Sequence, residues 1–149
     1  MQRRKQLPKF VSIVAIALGS LDIIRGFMHT ILLEYAAANI AGLDLSSSVA
    51  IDLLRLMGTF GISNFITGVM LIILGWKARP LALTMLGVIP LAYLVGAMGI
   101  RMNSAPYAAS EGDWGGAPMM LVYLAVCVVT FIAGIIMTQM QTRKNKSSL

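Results

Sequence analysis

Asp22, Arg25 and His29 set an acid, a base and the chain's one histidine at steps of three and four residues inside an otherwise apolar stretch, Gly19 to Thr30. On an α-helix that spacing projects all three side chains from one face. Such a stripe can hydrogen-bond a polar group, form an ion pair or exchange a proton. It is unsuited to lipid. A charged side chain near a bilayer centre costs at least about 2.5 to 3.5 kcal/mol, so these groups turn to a protein interior or a watered cavity and find partners there. A second acid-base pair, Asp52 and Arg55, repeats the i, i+3 spacing, and its polar face continues through Thr59, Ser63 and Thr67. Leu21-Asp-Ile-Ile-Arg25 and Ile51-Asp-Leu-Leu-Arg55 are alike, which leaves open two local pairs or a short inverted repeat.

The elements that must position these residues are membrane helices. Of 149 residues, 58% are hydrophobic and only 12% charged, whereas a soluble domain carries about a quarter charged residues. Four apolar segments lie at about 10–35, 50–76, 81–101 and 118–140, each reaching the roughly 20 residues that a helix needs to cross. The expected fold is all-α, one integral membrane four-helix bundle over residues 1–149. Arg3, Arg4, Lys5 and Lys9 precede the first segment, Lys77 and Arg79 separate the second and third, and Arg143, Lys144 and Lys146 follow the fourth. The positive-inside rule puts all three groups, and both termini, on the cytoplasmic side of the cell membrane. The other two loops carry Glu34, Asp44, Glu111 and Asp113, with Arg101 their only nearby base, and face outward.

The net charge of +6 is gathered at the ends and in one short loop, a topology signal and not a nucleic-acid surface. Cys127 is the one cysteine, so no intramolecular disulfide, Cys-x-x-Cys pair or Cys/His zinc cluster is expected, nor is a cleavable signal evident. No catalytic set or metal site is expected either, with one histidine, scattered acids and no nucleophile-base pair.

Local signals refine the layout. Trp76 falls at the inner interface, and Tyr35, Tyr107 and Trp114 at or beyond the outer one. Pro80 opens the third helix after a tight turn, Trp76-Lys-Ala-Arg-Pro80. Ser46-Ser-Ser48 reads as a helix cap. Gly58, Gly61, Gly68, Gly75, Gly87, Gly96, Gly99 and Gly134 mark helix contact faces, within the subunit or in a homodimer. Pro90 should kink the third helix. Asn145-Lys-Ser147 matches a glycosylation sequon on the wrong side of the membrane.

Counting depth at about 1.5 Å per residue puts Asp22, Asn64 and Tyr93 in one layer just outward of the midplane. Cys127 and Thr130 are near it, Arg25 and His29 stand above, and Arg55 approaches the outer interface. The inner half is almost purely aliphatic. An outward-opening polar pocket follows, with Asp22, Arg25, His29, Asn64, Tyr93 and Arg55 as its candidate ligand-binding residues. The bland alternative for each is structural: an Asp22–Arg25 pair fixing helix rotation, and a capped or solvated His29.

The run Asp52-Leu-Leu-Arg-Leu-Met-Gly58, the Gly68 to Gly75 spacing, Lys77-Ala-Arg-Pro80 and Gly96 to Arg101 resemble the DoxX-like group of small four-helix membrane proteins. That resemblance implies the fold, and a few members of the group are associated with quinone-linked oxidoreductases. Two functions stay open. One is a protein that binds a small lipophilic molecule such as a quinone or lipid, or transports a small solute. The other is a non-catalytic accessory subunit that docks a membrane protein partner.

Overall fold

The structure, a computed structural model, describes residues 7–104 and 116–147, with side chains to 143. The elements are α1 (Lys9–Thr30), α2 (Leu33–Asn39), α3 (Ala50–Lys77), α4 (Arg79–Ser104) and α5 (Ala117–Ser147). Among the described residues there is no strand, and α1, α3, α4 and α5 contain four stretches long and apolar enough to cross a membrane. The sequence reading of Tyr107, Glu111, Asp113 and Trp114, and of Arg3, Arg4 and Lys5, lies outside the described residues. So do the side chains of Lys144, Asn145 and Lys146.

The start of α1, the α3–α4 turn and the end of α5 share one end of the molecule, here the proximal end; α2, the end of α4 and the start of α5 define the distal end. Helix α1 is the hub. It touches every other helix, whereas α3 and α5 do not meet among the described residues. The α1–α3 seam is the closest. Ser12, Gly19 and Gly26 on α1 face Gly75, Gly68 and Gly61 on antiparallel α3, both sets at steps of seven. A seven-residue step keeps one seam between two gently supercoiled helices, and residues without side chains let the backbones touch. A Cβ on Gly68 would stand 2.6 Å from the Gly19 carbonyl oxygen, and one on Gly19 would stand 2.7 Å from that of Gly68.

The second face of α1 builds the core. Val11, Ala15 and Leu18 pack with Leu71 of α3, Ala82, Leu83, Leu86 and Ile89 of α4, and Tyr123 and Cys127 of α5. Gly87 takes the Phe131 ring and Gly134 the Leu83 side chain. The buried side chains of α4 stop at Ile89. The next residue is Pro90, which lacks the N–H that would bond Leu86 and crowds the preceding turn. Beyond it every residue from Leu91 to Ser104 is exposed except half-buried Gly99. Gly96 and Gly99, expected to mark a contact face, would have nothing within 4 Å of an added Cβ. The bundle is packed proximally, and α4 stands free of it distally.

Two local expectations change. The first span ends at Thr30 and not near residue 35, because Leu32 leaves the helical region (φ −101°, ψ 35°) and both Ile31 and Leu32 N–H donate to the Phe27 carbonyl. Helix α2 then turns Ala36 and Ala37 into contact with α1 and α3. Its end is marked by Gly42, left-handed at φ 67°, a conformation glycine adopts without penalty. The three serines do not cap α3, whose N-cap is Val49 without a side-chain bond. Instead Ser46 donates through N–H and hydroxyl to Asp44 Oδ1 at 2.9 and 2.6 Å, and these bonds hold the exposed Asp44 carboxyl below its ordinary range. The proximal turn is as tight as expected, with Ala78 alone between α3 and α4. It also carries a clasp. Arg79 donates from Nε to Ser12 Oγ at 2.8 Å and from Nη1 to the Leu7 carbonyl at 3.2 Å, tying the start of α1 to the turn.

Candidate functional site

The apolar column Val11, Ala15, Leu18 of α1 continues distally as Asp22, Arg25 and His29, so the packed core meets the polar stripe where α4 departs. Asp22 is 2% exposed. A carboxylate so enclosed must have its lone pairs satisfied, and both oxygens are engaged. Tyr123 of α5 donates its hydroxyl to Oδ2 at 2.7 Å, and Arg25 Nη1 donates to Oδ1 at 3.3 Å. The guanidinium also lies over the Tyr123 ring, 5.8 Å from its centroid, a favourable position against the face of the π system. The three side chains form one unit: an acid held by a phenol and an arginine, with the arginine resting on the phenol's ring.

The arginine is less fully used than the acid. Its side chain is 13% exposed, and Nε is buried with no hydrogen-bond partner among the described residues. The single contact to Asp22 is long beside the 2.7–2.9 Å of a strong charge-assisted bond, and it is not the two-pronged pairing of which a guanidinium is capable.

His29 lies two turns further out. Its Nδ1 meets Asn64 Nδ2 of α3 at 3.3 Å, so the amide donates to the ring nitrogen when that nitrogen is unprotonated. Asn64 is half-buried. Depth alone grouped Asn64 with Asp22, but the amide's hydrogen bond runs to His29, which corrects the expected shared floor. Tyr93 is 40% exposed on the free half of α4, and among the described residues no hydrogen bond joins it to the cluster. Arg55 is not brought to the site. Its side chain is 76% exposed and meets only Asp52, at 3.9 Å. Thr59 and Ser63 are exposed with it, and the Thr59 hydroxyl is spent on the Arg55 carbonyl. This polar face of α3 is turned away from the bundle.

Two participants lay close to the polar layer by depth but outside the six candidates, Tyr123 and Cys127. Both are buried, at 3% and 0% exposure. The signal that could have found Tyr123 is its calculated level, between Asp22 and Arg25, combined with the need of a buried phenol for a hydrogen-bond partner. Among the described residues no three His, Cys, Asp or Glu side chains gather as a metal-binding group.

Comparison with protein-family models, with curated proteins and with solved structures gave no match. Function rests on the site's own chemistry. That chemistry is an acid-base pair of no net charge, a donor edge of Arg25 left over, and a His–Asn pair beside it, at the level where the burial of α4 ends.

Proposed function

We propose that this is a multi-pass membrane protein with both termini on the cytoplasmic side, and that the distal side of the Asp22–Arg25–Tyr123 cluster receives the polar head of a small lipophilic molecule such as a quinone or a lipid. The orientation rests on the charge bias: Lys9, Lys77, Arg79 and Arg143 stand at the proximal end, Glu34 and Asp44 at the distal end. One observation carries the binding role, the buried Arg25 Nε without an acceptor. Leaving such a donor unmet costs about 1 to 3 kcal/mol, and a carbonyl or ester oxygen entering from the distal side relieves it. Transport has less support, because the proximal half is filled by Leu18, Leu71, Leu86 and their neighbours and offers no polar path. The resemblance to the DoxX-like group favours a quinone.

A second reading is an accessory subunit whose polar cluster fastens helices. The Tyr123–Asp22 bond between α5 and α1 favours it, and the outward Asp52–Arg55 face would then meet a membrane protein partner or a second copy.

Extraction of the purified protein followed by mass spectrometry separates the two. A lipophile recovered near one per chain, falling about tenfold or more in Arg25→Gln as one charge-assisted hydrogen bond is lost, supports the first reading. A stoichiometric protein partner with no lipophile supports the second. For the orientation, Ser48→Cys in a Cys127→Ser background is expected to react with an impermeant maleimide from outside intact cells. Labelling from the cytoplasmic side alone would reverse the topology.

A further inference from the structure

The ligand proposed for Arg25, on the reading just given, meets an ion pair that is already neutral as a unit. Adding a bare anion would leave a net charge in a setting where unpaired charge is costly. A neutral ligand avoids this in one of two ways: it has no charge to bring, or it brings its own proton. The arrangement around Asp22 is suited to the second.

We propose that Asp22 and Arg25 form a proton-linked receptor for a lipophilic carboxylic acid. The acid's O–H bond breaks and its proton forms a new O–H on Asp22 Oδ1; the ligand carboxylate then takes Asp22's place on Arg25. No electrons move, and the net charge of the site is the same before and after.

Three features support the exchange. Arg25 holds Oδ1 by one long contact of 3.3 Å, the easier of the two bonds on Asp22 to give up. Its Nε is buried and unpaired, and the Nε–Nη edge of a guanidinium matches a carboxylate by two parallel bonds. Tyr123 holds the opposite oxygen, Oδ2, at 2.7 Å, and it goes on donating to that oxygen when Oδ1 is protonated, so the acid stays in place in both states. Among the described residues the groups that face this exchange are few. From α1 there is His29, bonded to Asn64 of α3; from α5, Tyr123 and Cys127; from α4, Tyr93. Helix α3 brings no titratable side chain to it, since Asp52 and Arg55 are exposed. Asp22 is thus the one carboxylate among these groups.

The test uses the full chain in nanodiscs of zwitterionic lipid, with decanoic acid as probe and methyl decanoate as its uncharged counterpart. Decanoate is ionised in water from pH 6 to 8, so binding that takes up one proton weakens about tenfold per pH unit. Calorimetry in two buffers of different ionisation enthalpy should count that one proton, on the wild-type protein alone. Asp22→Asn, neutral from the start and still an acceptor for Tyr123, should bind decanoate with an affinity that no longer varies with pH. His29→Gln should alter affinity but keep the slope. A flat wild-type profile, a slope lost with His29, or methyl decanoate competing as well as the acid would overturn the proposal. The last of these leaves lipophile binding standing with a neutral head group. Absence of binding by acid, ester and quinone alike would remove both readings.

Discussion

Replacing Asp22 by leucine is expected to destabilise the protein by about 3 to 5 kcal/mol, the cost of stranding a buried charge by removing its partner. The change leaves Arg25 with no acceptor and Tyr123 with an unbonded hydroxyl, both at the boundary of the packed core. Arg25→Leu should cost a similar but smaller amount, because its side chain keeps a little exposure and Asp22 retains Tyr123. The double change to leucine should recover most of the loss, since two apolar side chains of similar reach need no partners. Tyr123→Phe isolates the phenol. A bond between helices within a membrane averages about 0.6 kcal/mol and reaches about 1.7, and the charged acceptor places this one toward the upper figure. Unfolding in mixed detergent measures all four. Additive losses in the Asp22/Arg25 pair would show that the two act separately.

The second large effect belongs to the α1–α3 seam. Gly68→Ala places a methyl 2.6 Å from the Gly19 carbonyl oxygen, a backbone atom that cannot move without its helix. Overpacking of this kind costs about 1 to 3 kcal/mol, and Gly68→Leu should separate the helices. Gly96→Ala is the control, since nothing lies within 4 Å of it, and it should change stability by no more than about 0.5 kcal/mol. The same unfolding assay reads the contrast. Equal effects at the two positions would mean that α1 and α3 do not approach as closely as described.

The spans were legible because hydropathy over some 20 residues is a strong signal, and the Asp22–Arg25 pair because it is local, one helical turn apart. What failed was rotation. Depth placed Asn64 beside Asp22, and the pocket took in Arg55, but depth says nothing about which way a helix is turned. The information was nevertheless present in α3. Gly61, Gly68 and Gly75 repeat at seven and must face a close neighbour. Asn64 sits on the flank of that stripe, three residues past Gly61 and four before Gly68, whereas Asp52, Thr59 and Ser63 lie opposite it. Read from the glycines, Asn64 turns toward α1 and the acid-base pair at 52 and 55 turns out. The break at Leu32 had no such signal. Ile31, Leu32 and Leu33 continue the apolar run without glycine or proline, and the turn is set by the burial of Ala36 and Ala37 against two helices that the local sequence does not reveal.

The hydrogen bond from Tyr123 to Asp22 joins residues 101 positions apart, the first long helix to the last. A chain made from its N-terminus therefore presents Asp22 long before its phenol exists. During that interval α1 and α3 can already zip through their glycines, while one oxygen of the acid waits for α5. Completion of the chain and completion of the acid's hydrogen-bond set are then the same event, so a product truncated before Tyr123 differs from the finished one by an exposed polar flaw at the centre of its first helix.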